Sequence, residues 1–429
     1  MSVALGAWAL AGGQARAGQT PIDAPELASP GPYAVGFASL TFVQPNQPDA
    51  LAWRPGKTSL PTRPRVLPVD VWYPARARPK ARPVTYAGAL TDEDGRPVAF
   101  TIPGHAVRNA PGTSGAVPLV ILAHGYGGTP VAMRWLAENL ASKGYVVAGP
   151  HFNDPPITDP QGFPGPLARR PLDIAFVAAE AQKRARARTG VFAAADPTRT
   201  VLIGYSMGGY GALTTAGAAL ESELAPATHG ALAPFVRGAA RAGELRVANL
   251  RAVVLVAPAG LFPAGEAWGA TGLAAITAPS LFIVGDKDRT VGYDPGVKTL
   301  YDQEAHAPRY LLTFENAGHS IGMDAAPAQM RSRLWDQDWF EDPVWRKSRV
   351  MAIEQHFITA FLDRYVKGDV SKTAYLDVTE PIASRGAWPS RPGEAYDAVS
   401  PGRAPITVWK GFHHRDSTGL ELRFAPAAP

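Results

Sequence analysis

Val201-Leu202-Ile203-Gly204-Tyr205-Ser206-Met207-Gly208 joins a short apolar run to an apolar segment over 207–219 that predicts a helix. At its centre the residues fit G-x-S-x-G. A strand that passes into a helix this abruptly must turn sharply. Glycines two positions either side of Ser206 relieve the crowding while the serine is thrust out at the strand end. The helix beyond presents backbone N–H groups without intrahelical partners, and a positive dipole end, toward negative charge developing at the serine. Strand, turn and helix together make Ser206 a candidate nucleophile. A phosphate loop is the competing use of such a turn, but no G-x-x-x-x-G-K-[ST] occurs, so its lysine is missing.

Outward from this turn, short apolar runs alternate with longer helical stretches, which is how a parallel sheet with crossover helices reads. The runs are Leu119 to Ala123, Tyr145 to Ala148, Val201 to Ile203, Ala252 to Val256, Leu281 to Val284 and Tyr310 to Phe314. Helices are expected over 129–142, 170–187, 207–219 and 293–304. Two further runs, Tyr33 to Val43 and Val66 to Tyr73, predict an antiparallel start to the sheet. Segment 45–65, rich in Pro, Gln and Asn, reads as the loop between them. The expected fold class is α/β, a mainly parallel, doubly wound sheet with antiparallel N-terminal strands.

Residues 31–370 are read as the catalytic domain. Within it, the Ala- and Arg-rich segment 221–249 is either a cap over the site or a surface excursion. Trp335, Trp339 and Trp345 lie among charges and serve either packing against the body or an aromatic wall facing the substrate. One amphipathic helix over 349–367 closes the domain, and a Pro-rich extension over 371–429 packs on it. At the other end, Val3 to Ala11 is apolar and too short to span a bilayer, and Ala15-Arg16-Ala17 offers a small-x-small cleavage site. Residues 1–17 therefore read as a signal peptide, followed by an extended arm over 18–30. Export to the periplasm or the medium is the expectation.

Of 429 residues, 46% are hydrophobic and 18% charged, enough to bury a sizeable core. The 42 basic against 37 acidic residues give a formal +5, scattered in small groups without interleaved aromatics. A solvated basic face is expected, not a nucleic-acid site. The chain has no cysteine, which excludes disulfides and a thiolate nucleophile. No H-E-x-x-H or other close ligand pair is present, so neither metal nor cofactor is expected. The oligomeric state is left open.

A serine hydroxyl needs a general base, and the base needs a group that fixes its tautomer. In chain order these follow a serine of this kind as Asp or Glu, then His. Among the later histidines, His229 lies in the insertion, His306 precedes its strand, His356 falls in the closing helix, and His413 and His414 are in the tail. His319 alone stands just past an apolar run, in Asn316-Ala317-Gly318-His319. It is the expected base. For the acid, Leu281 to Val284 leads into Gly285-Asp286-Lys287-Asp288, where two carboxylates compete. A tetrahedral intermediate also needs two convergent N–H donors. One is the backbone N–H of Met207. The other comes from His124-Gly125-Tyr126-Gly127-Gly128, which resembles the H-G-x-x-G oxyanion loop of lipases and esterases and makes Tyr126 N–H the second donor. His124 itself reads as a brace for this loop.

Taken together, Gly31-Pro32-Tyr33-Ala34-Val35-Gly36, Asp70-Val71-Trp72-Tyr73-Pro74, the His124 loop, the Ser206 turn, Gly318-His319 and Trp409-Lys410-Gly411-Phe412 resemble the bacterial predicted dienelactone hydrolases and platelet-activating-factor-acetylhydrolase-like esterases. More loosely they resemble the cutinase-like polyester hydrolases. The resemblance implies the α/β-hydrolase fold and a metal-independent carboxylic ester hydrolase working through an acyl-enzyme on small or short-acyl esters. It also favours Asp288, since Gly285, Asp288 and Val291 fit the family's G-x-x-D-x-x-V. True dienelactone hydrolases use a cysteine nucleophile, so that activity is not implied. An amidase, peptidase or polyester hydrolase could use the same residues, and a non-catalytic exported binding protein could use the same scaffold.

Overall fold

A strand covered on both faces reads as a nearly continuous apolar run, and the short apolar runs of this chain form the centre of a single large sheet. The computed structural model describes residues 22–57, 59–77, 80–389, 404–413 and 415–428; the signal-peptide reading of 1–17 lies outside them. The strands are β1 (Ala34–Pro48), β2 (Thr62–Ala75), β3 (Thr85–Thr91), β4 (Pro97–Pro103), β5 (Val107–Arg108), β6 (Val117–Ala123), β7 (Val146–Pro150), β8 (Ala195–Tyr205), β9 (Leu250–Val256), β10 (Leu261–Phe262), β11 (Gly265–Glu266), β12 (Ser280–Gly285), β13 (Arg309–Phe314) and β14 (Leu420–Ala425). The α-helices are α1 (Arg134–Ser142), α2 (Pro164–Arg186), α3 (Met207–Ala216), α4 (Leu224–Ala227), α5 (Ala270–Leu273), α6 (Lys298–Gln303), α7 (Leu334–Phe340) and α8 (Lys347–Tyr365).

Ten strands form one sheet in the order β14-β13-β12-β9-β8-β6-β7-β2-β1-β5. From β7 to β13 all neighbours are parallel; β2 runs antiparallel to both β7 and β1. This is the expected fold class. Alternation along each strand sends successive side chains to opposite layers. On β6, Val120 and Leu122 join Leu136 and Leu140 of α1 and Phe357 and Phe361 of α8. Leu119 and Ile121 join Ile174 and Val177 of α2 and Leu213 of α3 on the other face. Each such buried side chain contributes about 1.5–3 kcal/mol of transfer free energy. Among the described residues no helix is long and apolar enough to cross a membrane.

Several boundaries differ from the sequence reading. Segment 129–142 opens as a 3-10 turn at Pro130–Met133, capped by Thr129, and becomes α-helical only at Arg134. Segment 293–304 is helical only from Lys298, because Asp294, Pro295 and Gly296 hold non-helical angles. Proline and glycine both disfavour a helix interior. Helix α2 begins earlier than expected and runs through Pro171. Proline cannot donate to the carbonyl four residues back, and here Tyr210 Oη–H donates to that Leu167 carbonyl instead, at 3.1 Å.

The polar segment 45–65 is not all loop. Strand β1 continues to Pro48 past an irregularity between Gln44 and Gln47, and β2 already begins at Thr62. A buried network holds these polar residues in place: Gln47 Nε2 donates to Asp173 at 3.0 Å, and Arg65 pairs with the same carboxylate at 2.8 Å. The hairpin β3–β4 has no counterpart in the sequence reading. At its tip, Asp92 Oδ1 accepts the N–H groups of Asp94 and Arg96. In the C-terminal extension, β14 pairs antiparallel with β13 and becomes a sheet edge.

One carboxylate pins the hairpin to the body. Buried Glu138 on α1 accepts Tyr86 Oη–H at 2.8 Å, His105 N–H at 2.8 Å and Ala106 N–H at 3.0 Å, and pairs with Arg134 at 3.3 Å. Burial alone would raise its pKa, but the His105 bond, Arg134 and these donors outweigh burial and hold it at about 2. A carboxylate depressed in the folded state adds stability above its unfolded pKa and loses it as pH falls toward the folded value. Glu138→Gln is therefore expected to lower stability at pH 7 by roughly 2–4 kcal/mol and to flatten the decline between about pH 4.5 and pH 2. Urea unfolding across that range tests this; parallel curves for the two proteins would contradict it.

Candidate active site

Strand β8 delivers Ser206 into a turn that only this pattern of residues tolerates. Ser206 holds φ 53° and ψ −119°, a left-handed conformation rare for a residue with a side chain. Such a residue costs about 1–3 kcal/mol, so the surroundings must over-determine it. They do: Ser206 N–H donates to Val256 O at 3.0 Å, and its carbonyl accepts Ala259 N–H at 3.0 Å and Gly209 N–H at 2.8 Å. A Cβ at Gly208 would stand 2.0 Å from Ala123 O, and one at Gly204 would stand 2.4 Å from Gly208 O. Both glycines are required for backbone to pass backbone.

The residues expected as base and acid meet this serine. His319 follows β13 in a 3-10 turn, His319–Gly322, with Nε2 3.0 Å from Ser206 Oγ and Nδ1 2.7 Å from Asp288 Oδ2. The carboxylate accepts Nδ1–H, which leaves the Nε2 lone pair to accept the serine hydroxyl proton. The other Asp288 oxygen accepts Thr290 N–H at 2.8 Å and Val291 N–H at 3.1 Å. Burial works to raise the Asp288 pKa, but His319 and these two donors outweigh it and hold it below the usual carboxylate range. Asp286 is elsewhere, accepting Asn316 N–H at 2.6 Å and pairing with Lys287. Of the two competing carboxylates, Asp288 is the one beside His319. Other histidines are engaged away from the serine: His229 stacks on Trp53 at 4.3 Å, and buried His356 accepts Leu27 N–H.

The loop after β6 lies directly beside the serine, since a Cβ on Gly125 would come within 3.2 Å of Ser206 Cβ. Among the described residues no hydrogen bond is made by the backbone N–H of Tyr126 or Met207, the two expected oxyanion donors. His124 makes its ring hydrogen bonds to backbone groups, not to the serine. Its Nδ1–H donates to Gly125 O at 2.7 Å and its Nε2 accepts Phe152 N–H at 3.3 Å. Burial, with the neighbouring Arg170 charge, drives its pKa well down, so the ring is neutral with one donor and one acceptor.

Above Ser206 and His319 opens a cleft of 380 Å³ whose walls are mainly apolar, among them Tyr126, Phe163, Phe262, Val291, Trp335 and Trp339. Trp335 and Trp339 thus face the cleft, while Trp345 packs edge-on against Phe314 at 5.1 Å. No residue of 221–249 lines it; that segment buries Leu224, Leu232, Phe235 and Leu245 in the α2–α3 layer. A second cleft, of 450 Å³, lies between the N-terminal arm, α1 and α8, and contains neither Ser206 nor His319. Among the described residues, no group of three or more His, Asp or Glu is placed to hold a metal ion.

Sequence reading missed Tyr205, the variable residue before the serine. Its ring stacks on His319 at 5.1 Å and its hydroxyl donates to His319 O at 3.0 Å. It also missed Asp342, which accepts Gly318 N–H at 2.7 Å and so orients the turn that carries His319. Neither residue belongs to a local pattern that would have marked it.

Residues 103–236 match the family described as PETase, PET hydrolase-like. That segment holds the His124 loop and the Ser206 turn, and ends before Asp288 and His319. Among solved structures, a ferulic acid esterase from Streptomyces cinnamoneus superposes with a TM-score of 0.52 at 21% sequence identity, covering 80% of this chain and 94% of that one. Likeness at that identity speaks for the fold. A search of curated proteins returns no match. The ten-stranded sheet has the α/β-hydrolase fold, and with this family match the chain is a carboxylic ester hydrolase.

Proposed function

We propose that the chain hydrolyses small or short-acyl carboxylic esters by a serine mechanism, with Ser206 as nucleophile, His319 as base and Asp288 as the acid that orients it. The observation that carries this reading is the continuous chain of hydrogen bonds from Ser206 Oγ through His319 to Asp288, at 3.0 and 2.7 Å, on the floor of the cleft. As Ser206 attacks the ester carbonyl, His319 Nε2 takes the hydroxyl proton, and Asp288 steadies the imidazolium. The N–H groups of Tyr126 and Met207 receive the negative oxygen of the tetrahedral intermediate. His319 then protonates the departing alcohol, leaving the acyl group on Ser206. Water, deprotonated by the same nitrogen, releases the carboxylic acid and restores the enzyme.

The aromatic walls of the cleft and the PET hydrolase-like match favour a second reading within this chemistry, in which the acyl group carries a ring or belongs to a polyester. An acyl series of p-nitrophenyl esters, from acetate to benzoate, separates the two by kcat/KM. An amide sharing the acyl group is expected to react far more slowly; equal rates would point to an amidase. Export is part of the proposal too, and rests on the leader read in residues 1–17. Cell fractionation of the full chain should then recover a shortened protein outside the cytoplasm.

Ser206→Ala should abolish turnover, by roughly 10⁴-fold or more. Full activity in that variant would end the serine reading. Asp288→Asn should lower kcat by about 10⁴-fold through the wrong histidine tautomer, whereas Asp286→Asn should cost less than about tenfold. Reversal of that order in steady-state kinetics would move the acid to Asp286.

A further inference from the structure

Two buried side chains outside the triad grip the loop that carries Tyr126. Asp154, which follows β7, accepts Gly127 N–H at 3.1 Å and Arg170 Nη2–H at 2.7 Å through one oxygen, Oδ2. Arg170, on α2, directs the same Nη2 toward Gly125 O at 3.4 Å. The loop is therefore held on both sides of Tyr126. The Arg170 and Asp154 side chains are 0% and 4% exposed, and the guanidinium lies 3.7 Å from the centre of the Phe152 ring.

Stability alone does not account for this pair. Removing two charges from water costs about as much as their attraction returns, and an apolar pair of the same volume often does as well or better. Moreover, Arg170 Nε and Nη1 are buried with no hydrogen-bond partner among the described residues. What the arginine does make are one bond to the carboxylate that holds Gly127 and one long contact to the carbonyl of Gly125. That carbonyl belongs to the same peptide unit as Tyr126 N–H. It also accepts His124 Nδ1–H at 2.7 Å. Donors on the oxygen of a peptide polarise it and strengthen its N–H as a donor.

We propose that Arg170 and Asp154 are positioning residues for the oxyanion hole, which aim and polarise the Gly125–Tyr126 peptide so that Tyr126 N–H meets the charge developing in the transition state. The inference rests on the serine mechanism above. Asp154 sets direction through Gly127, and Arg170 ties Asp154 to the carbonyl side of the loop.

The test is steady-state hydrolysis of a p-nitrophenyl ester by Asp154→Asn, Arg170→Gln and the double variant, with inhibition by an alkyl trifluoromethyl ketone, whose serine adduct places an oxyanion in the hole. Each single variant should lose between about tenfold and 1000-fold in kcat, the upper figure being that for a lost donor. KM should stay within about threefold, and the ketone Ki should rise by the factor that kcat/KM falls. The double variant should lose no more than the worse single one, because the pair acts as a unit. Unchanged kcat, a change confined to KM, or a kcat loss with unchanged ketone Ki would overturn the proposal. If a single variant fails to fold, the double variant, which leaves no charge unpaired, gives the same readout, and Arg170→Lys, which keeps the charge, should show a smaller loss of the same kind. Retained activity in Ser206→Ala would instead remove the underlying mechanism, whatever these variants show.

Discussion

Ser206 sits at a positive φ between a strand that must end and a helix that must begin, and the glycines and backbone hydrogen bonds around it hold that conformation. The constraint is steric first. Gly204 and Gly208 let the backbone of the turn cross against itself and against Ala123 at distances no side chain permits. Hydrogen bonds from the serine peptide to Val256 and from Ala259 lock the turn to the end of β9. Strain localised in one residue is sustained because the strands on either side are buried and apolar, and cannot relax without exposing the core.

The groups converging on the serine arrive from separate strand ends of the same sheet. Asp288 comes from the loop after β12, His319 from the loop after β13, and Tyr126 from the loop after β6. Parallel strands deliver all of these loops to one edge, so the sheet order does the work of bringing distant sequence together. Buried polar contacts then fix each loop. Asp288 is tied to the N–H groups of Thr290 and Val291, and the His319 turn to Asp342 and Tyr205. The Tyr126 loop is tied to His124, Asp154 and Arg170. Buried bonds of this kind are strong, and their loss leaves unpaired groups, which makes the geometry stiff.

The cleft walls have a different origin from its floor. Trp335 and Trp339 belong to α7, in the segment between β13 and α8, which is held by contacts to the β3–β4 hairpin. Trp335 Nε1–H donates to Thr91 O at 3.0 Å, and Arg333 pairs with Asp336 at 2.8 Å while reaching Asp92 and Glu93 at the hairpin tip. Glu138 anchors the other end of that hairpin to α1. The cleft walls are thus built from elements remote in sequence from the Ser206 turn, and can vary without disturbing it.

The sequence by itself determined the parts of this protein that depend on local periodicity and local sterics. Apolar runs marked the central strands, because double burial disfavours polar residues there. The glycine spacing marked the turn at Ser206, and position past an apolar run singled out His319. Tertiary structure decided what rests on distance between segments. It placed Asp288 beside His319 and Asp286 against Asn316, which two carboxylates separated by one residue could not reveal. Gln47 stays in a strand because Asp173 is buried beside it, and Pro171 stays in a helix because Tyr210 serves the carbonyl it cannot. The sequence left the insertion 221–249 and the tryptophans open, since the direction a loop takes over a sheet depends on contacts formed only after the chain has folded. Tyr205, Asp154, Arg170 and Asp342 carry no local signature for the same reason: what each does is set by a partner far away in the chain, and that partner arrives only with the fold.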